Sequence, residues 1–540
     1  MYRAVLIAAV VAASSVAAQE THQHGDAGKL GTVKFTNSCS ADVQPTFARG
    51  MALLHSFEFG PATEAFKTIA EADASCGIAR WGMALAQWGN PFSPANRPAR
   101  QMETGRDLAA RASATATKTP RERDYIAAVA TLYNRFDTVD QRTRIVAYRD
   151  AMARPAATYP DDPEASTFYA LALAAAADPA DKTYVDQLKA GAMLEKLWEA
   201  QPDHPGIPHY IIHSYDAPAL ASRAISAARR YAKVAPDAPH ALHMPSHTFT
   251  RLGLWQDSID TNILSAAAAR KSGATYEELH ATDYQVYAYL QTGQDAAARK
   301  LVDGLADVLA RANPNAAASA APSNTGSYAV AATPARYALE RGAWGDAASL
   351  QVRPTRYAYA DAMTWFARAL GSARTHDPAG VKTAIDELQK GIDRLTQEKE
   401  TYWVEQVTIQ KIAATAWLAL AEGRSSDALS SMREAADRED RTEKSAVTPG
   451  PLAPARELLG EMLLQLDRPK DALPEFQKTM AKEPNRFRAL AGAITAATKS
   501  GDRAAARKYS EQLVAMCAKA DTPGRPELQA ARSLARRASQ

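Results

Sequence analysis

Two turns 34 residues apart constrain this chain more than any other feature. Asp467 and Gly501 hold corresponding positions in PARELLGEMLLQLDRPKDALPEFQKTMAKEPNRFRALAGAITAATKSGDRAAARKYSEQLV. There a helix, a short polar turn and a helix ending near Pro484 are followed by the same again. Ala472-Leu473, Phe476 and Pro484 fit the A-x3-F…P spacing of a helical-hairpin repeat. One such hairpin cannot bury its apolar side alone, so hairpins must stack. GLWQDSIDTN and RGAWGDAASL carry similar turns, which extends the array over nearly the whole length. The period is strong at the end of the chain and degenerate in the middle.

The predicted class is therefore all-α: a tetratricopeptide-like helical-hairpin solenoid, curved into a ring or bowl around a central cavity. Abundant alanine and few β-branched runs agree with helices in close contact. FARGMALLHSFEFGPATEAFKTIAEADASCGIARWGMALAQWG predicts a helix through Phe57, a turn near Gly60 and a helix through Ala72. A third helix follows with Trp81, Gly82 and Ala84. The expected organisation is a signal peptide over 1–18, a polar segment over 19–44 and histidine-bearing repeats over 45–312. A low-complexity loop over 313–327, middle repeats with a proline-rich break over 328–454, and terminal repeats over 455–540 complete it.

MYRAVLIAAVVAASSVAAQE reads as a secretory signal: one arginine, an apolar run, then small residues ending at Ala18. No later apolar stretch is long enough to span a bilayer, so no membrane insertion is expected. The expected location is the periplasm or the outside of the cell. Formal net charge is only +3 with scattered arginines, which argues against a nucleic-acid partner. Of three cysteines, Cys39 and Cys76 are candidates for a disulfide in an oxidising compartment, the alternative being two separate thiols. Cys517 reads as an inert thiol in a terminal helix.

Five of the eleven histidines fall in two short segments. His209 and His213 stand in HYIIH; His240, His243 and His247 stand in HALHMPSH. Histidines four apart share one face of a helix, and imidazole is the commonest transition-metal ligand. Pro245 interrupts the second segment and puts His247 in the first turn of a helix, with His243 in its approach. The opposing reading is a hydrogen-bonded polar core between helices. His280, in EELHATDYQVYAYL, and His55 with Glu58, in LLHSFEF, are further candidate ligands. For His55 the alternative is a core histidine held by Glu58. Glu405, in TYWVEQVTIQ, is a candidate ligand or general base, against a plain salt bridge. Tyr210, Tyr284 and Tyr287 read either as pocket hydroxyls or as packing aromatics. Asp283 lies near the His280 face, and Arg251 reads mainly as a salt-bridge partner. FSPANRPARQ, QPDHPGIPH, NPNAAASAAPSNTGS and VTPGPLAP break the periodicity, where loops could cover a concave face.

HYIIH at 209–213 and HALHMPSH at 240–247 resemble the HY-x-IH and H-x-x-HMP[SA]H motifs of a group of exported bacterial tetratricopeptide-repeat proteins. LLHSFEFGPATEAF, CGIARWGMALA, TEKSAVTPGPLAPARELLGEML and EPNRFRALAGA share the likeness, which covers most of the chain after its leader. The resemblance implies a helical solenoid with a shared histidine site and supplies no reaction. Where that family often carries a histidine after Glu443-Lys444, this chain has Ser445.

Neutral imidazoles favour copper, iron or zinc over magnesium or calcium. A copper pair would use His209, His213, His243, His247, His280 and either His240 or His55. Iron or zinc would more naturally recruit Glu58, Asp283 or Glu405. The favoured function is a copper- or iron-dependent oxidoreductase acting on a small molecule or peptide in the repeat cavity, with Tyr210, Tyr284 and Glu405 as candidate catalytic groups. The alternatives are a peptide- or protein-binding scaffold with a structural metal or polar core, and a zinc-dependent hydrolase with Glu405 as base. No dinucleotide fingerprint, P-loop, haem-attachment motif or nucleophile elbow is present.

Overall fold

The computed structural model describes residues 28–115, 119–313 and 319–537. The expected signal peptide, with His22 and His24 beyond it, lies outside the described residues. Among the described residues there are α-helices and two short 3-10 helices and no strand. Among the described residues no helix is long and apolar enough to cross a membrane. Successive helices pack antiparallel on one another along the chain, giving a tetratricopeptide-like solenoid.

The terminal repeats show how residues set this packing. Helices Ala455–Gln465, Pro469–Lys482, Phe487–Ser500 and Arg503–Met516 form two hairpins. Both turn residues, Asp467 and Gly501, take left-handed backbone angles (φ 55° and 81°), as a tight helix-to-helix turn requires. Phe476 fills the slot between the first and third of these helices. A Cβ at Gly492 would meet its ring at 2.3 Å, and one at Gly460 at 2.8 Å. The same device recurs near the start: Phe66 lies against Gly50 and Gly82, with the same 16-residue steps on either side. Hairpins at opposite ends of the chain are thus built to one pattern.

Apolar side chains form two large cores. One runs from Leu30 to Phe249 and includes Ala320; the other runs from Tyr328 to Ala531. Small clusters around Trp255, Leu279 and Val286 lie between them. Two buried arginines tie this middle region together. Arg336 bonds Asp283 at 2.9 Å, and Arg486 holds Glu457 and Glu340, each at 2.7 Å. A disulfide joins Cys39 to Cys76, with Cα atoms 4.9 Å apart, and pins the first described segment to helix Gly77–Trp88.

The structure departs from the sequence reading at three places. The first helix ends at His55 and the next begins at Phe59, so the turn is Ser56–Glu58 and Gly60 is helical. Phe57 takes φ 58° there, and its ring lies against the histidine site described below. The segment read as a polar lead is packed from residue 28 onward. Leu30, Val33 and Phe35 are buried, and Phe35 stacks on Trp81 at 5.5 Å. Finally, helix Ser323–Glu340 starts inside the stretch read as a low-complexity loop.

Candidate metal centre

Three short helical stretches and one long helix carry the histidines. Helix Gly206–Ser214 has Pro208 in its first turn and presents His209 and His213 one turn apart. Helices Pro239–His243 and Pro245–Arg251 meet at Met244, which keeps helical angles (φ −53°, ψ −35°). Pro245 only removes one N–H, so the helical path continues and His243 and His247 also stand one turn apart. Helix Thr275–Gln291 adds His280 and Tyr284.

These six buried imidazoles fall into two groups of three. His209, His213 and His240 form one; His243, His247 and His280 form the other. Within each, the three candidate ligand nitrogens lie within 4.8 Å of one another. The groups adjoin: ring centroids of His213 and His247 are 6.0 Å apart, and those of His240 and His243 are 6.1 Å apart. His240 therefore joins the upstream pair, and the two segments are shared between the groups.

Proton positions follow from the partners. His209 Nδ1 is 2.6 Å from the His55 carbonyl, an acceptor only, so Nδ1 donates and Nε2 is a lone pair. That Nε2 has no partner, nor does Nε2 of His213, and neither His240 nitrogen is hydrogen-bonded. In the second group, His247 Nδ1 donates to Asp216 at 3.0 Å. His243 Nδ1 donates to Asn262 Oδ1 at 2.7 Å. Asn262 cannot turn its amide nitrogen toward His243, because that nitrogen donates to the Ser258 carbonyl at 2.8 Å. Both Nε2 atoms are then lone pairs, and they face each other at 3.2 Å. Two buried lone pairs at that distance repel unless a cation lies between them. Two nitrogens each about 2.0 Å from one tetrahedral ion would be about 3.3 Å apart. The residues fit a metal.

Electrostatics point the same way. Burial, reinforced by neighbouring imidazoles, pushes His209, His213 and His243 well below the ordinary histidine range. Burial lowers His247 to about 4 against the pull of Asp216, and His280 to about 3 against Glu277. Neutral imidazoles are the form that binds metal. Burial alone would raise Asp216, but Lys444, Arg251 and His247 outweigh it and hold that carboxylate well below its usual range. Arg251 donates to its carboxylate at 2.8 Å and to its carbonyl at 2.9 Å.

A third histidine group behaves differently. Glu164 accepts from His55 Nε2 at 2.9 Å and from His204 Nε2 at 2.8 Å. His55 Nδ1 accepts from the Tyr210 hydroxyl at 3.0 Å, and His204 Nδ1 accepts from the Gly206 N–H at 3.1 Å. Every ring nitrogen is satisfied with the correct sign, so this cluster is a hydrogen-bonded core that holds no vacancy in its bonding. The ring of His55 and the hydroxyl of Tyr210 belong to it, and His55 reaches the metal centre only through its carbonyl.

The carboxylates singled out from sequence lie elsewhere. Glu58 accepts from the His240 backbone N–H at 3.3 Å; burial, with Glu277 nearby, pushes it up to about 8. Asp283 is held by Arg336. Glu405 takes two hydrogen bonds from Arg438, at 2.9 and 2.6 Å, on a partly exposed helix face. Tyr284 does stand at the second group, its hydroxyl 3.4 Å from His247 Nε2 while donating to the Thr448 carbonyl at 3.1 Å. Tyr287 instead accepts from Arg486 at 3.0 Å.

The centre adjoins a cleft lined by His213, His240, His247 and His280. Residues of three periodicity breaks line it, Phe92 and Ser93, Ala320 and Pro322, and Val447, with Ser445 and Ala446 just before the last. Phe92 stacks on His213 at 4.0 Å and 11°.

Several participants carry no signal in the sequence. Asn262 and Glu164 sit in ordinary helical stretches, and Glu277, 3.9 Å from His240 Nδ1, precedes a second glutamate of a different role. His204 in QPDHPG was the one additional histidine whose neighbourhood could have marked it. Phe57 touches three ligand candidates, with centroids 4.3 Å from His209 and 5.7 Å from both His213 and His240.

No protein-family model and no curated protein sequence matches the chain. Among solved structures, it is similar to the human IFIT1 dimer with m7Gppp-AAAA, at 11% identity and TM-score 0.35, covering 89% of this chain and 96% of that one. A monomeric IFIT1 mutant with the same RNA is matched at 9% identity and TM-score 0.35, over 81% of this chain and 90% of that one.

Proposed function

We propose that this chain is an exported oxidoreductase built around a pair of copper ions, one on each histidine group. The observation that carries the reading is the 3.2 Å approach of two Nε2 lone pairs, His243 and His247, whose Nδ1 hydrogens are committed to Asn262 and Asp216. A polar core without metal leaves that contact, and the orphaned nitrogens of His209, His213 and His240, unexplained.

Donor chemistry favours copper. Each group offers imidazole nitrogen alone, and copper heads the affinity order for such sites. Glu58, Asp283 and Glu405, the carboxylates that iron or zinc would recruit, are engaged by the His240 N–H, Arg336 and Arg438. Glu405 is thus a poor base for a hydrolase. A bound copper pair would supply one-electron redox partners side by side, suited to oxidising an organic substrate with dioxygen. The chain's own residues keep the imidazoles neutral, fix their tautomers through the His55 carbonyl, Asn262 and Asp216, and admit substrate through the cleft beneath Phe92. The Cys39–Cys76 disulfide supports export to an oxidising compartment such as the periplasm.

The test is elemental analysis of the purified chain after reconstitution with copper and removal of loosely bound ion. Two coppers per chain are expected, falling to one or none in His209→Ala and in His243→Ala with the helical content retained. A single zinc, or no specific uptake, would sink the proposal and favour the scaffold reading.

A further inference from the structure

A second cavity lies beside the histidine cleft, and Trp403 lines both. The segment after Glu443 divides them: Ser445 to Val447 face the histidines, while Lys444 and Thr448 face the larger cavity. Its apolar wall is aromatic, with Tyr328, Phe366, Tyr402 and Trp403 joined by Met363 and Ile409. Trp403 is held flat against Tyr359 (centroids 4.2 Å, 7°) and crossed by Tyr402 at 79°. Its indole N–H, in a side chain only 4% exposed, has no acceptor.

Cationic side chains line the same cavity. Lys444 and Arg251 share Asp216, at 3.4 and 2.8 Å. Arg251 Nη1 is buried without a partner. Lys482 donates only to carbonyl oxygens, those of Glu439 at 3.1 Å and Thr442 at 3.5 Å. Of the acids on the wall, Asp440 is paired with Arg456, and Glu439 accepts from the Ala455 N–H and is pushed up to about 7 by burial. Glu483 is the remaining carboxylate on the wall and acts on both Lys444 and Arg251, and Glu443 lies 3.9 Å from Arg251. A cavity lined by a flat apolar wall and by lysine and arginine, with the Arg251 Nη1 hydrogens still unpartnered, is chemistry for an aromatic ring that bears an acid.

We propose that this cavity binds an aromatic carboxylic acid, its ring against Trp403 and its carboxylate toward Lys482, Lys444 and Arg251. The inference deepens the oxidoreductase reading by naming its substrate class, since the Trp403 wall places such a ring next to the histidine cleft.

Calorimetric titration of the metal-free chain tests it, using 4-hydroxyphenylacetate and its neutral amide as probes. The acid should bind about tenfold more tightly than the amide, the worth of one charge-assisted contact. Lys482→Met should abolish that preference, Lys482→Arg should keep it, and Trp403→Leu should weaken both probes alike. Failure of the unmodified chain to bind either probe, or equal binding of acid and amide, overturns the proposal even if a variant does not fold. Persistence of the preference in a folded Lys482→Met chain overturns it as well. Copper uptake is read separately: binding of the acid by a chain that takes up no copper would sink the oxidoreductase reading and leave this site standing.

Discussion

His243 and His247 meet Nε2 to Nε2 at 3.2 Å, with no hydrogen available to either nitrogen for that contact. One turn of helix separates the residues in sequence. Asn262 and Asp216, from two other elements, turn the rings so that both lone pairs converge.

Asn262→Leu should therefore weaken copper binding without unfolding the chain. The variant loses the acceptor that fixes the His243 tautomer, along with a bond to the Ser258 carbonyl within its own helix, and loss of such an outer partner typically costs about 10- to 100-fold in metal affinity. Competition with a copper chelator of known affinity measures it. Affinity equal to that of the unmodified chain would mean that His243 is not oriented by Asn262.

Gly492→Ala should destabilise the chain by about 1–3 kcal/mol, the usual cost of overpacking. Its Cβ would stand 2.3 Å from the Phe476 ring. Phe476→Leu in the same chain should recover part of the loss, because the smaller side chain vacates the ring position. Urea unfolding of the single and double variants provides the comparison.

Removing the disulfide with Cys39→Ser and Cys76→Ser should cost about 2–4 kcal/mol, mainly by freeing the unfolded chain. The bridge spans 37 residues and lies outside both histidine groups, so copper content should not change. Denaturation with elemental analysis on the same sample separates the two effects.

Glu439 should make stability fall as pH rises. Burial lifts its folded pKa from 4.5 to about 7. Below the lower value both states hold the proton. Between the two values only the folded state does, so unfolding releases a proton and each step up in pH favours the unfolded chain. Above about 7 the penalty is constant. Glu439→Gln should remove a contribution on the order of 3 kcal/mol across that window. Denaturation midpoints of both proteins at pH 5 and pH 8 test the sign, and a variant with an unchanged pH slope would refute it.

Local spacing alone determined much of this protein. The Asp467–Gly501 period and the A-x3-F…P pattern describe hairpins, and the terminal repeats have that form because helix turns and their buried faces are set by near neighbours. The four-residue steps from His209 to His213 and from His243 to His247 likewise put each pair on one helical face. Only the tertiary structure decided the grouping: His240 joins the upstream pair, and His280 completes the downstream one from a different helix. It also decided which of the chemically similar candidates meet the site. His55 is drawn to Glu164, Glu405 to Arg438 and Asp283 to Arg336, while Asp216, just after the first histidine pair, and Asn262, from a stretch that looks ordinary in sequence, orient candidate ligands of the second group. The reason is physical. A helical period is repaid within one or two turns of backbone, whereas the direction of an imidazole lone pair depends on a hydrogen-bond partner that folding brings from far along the chain.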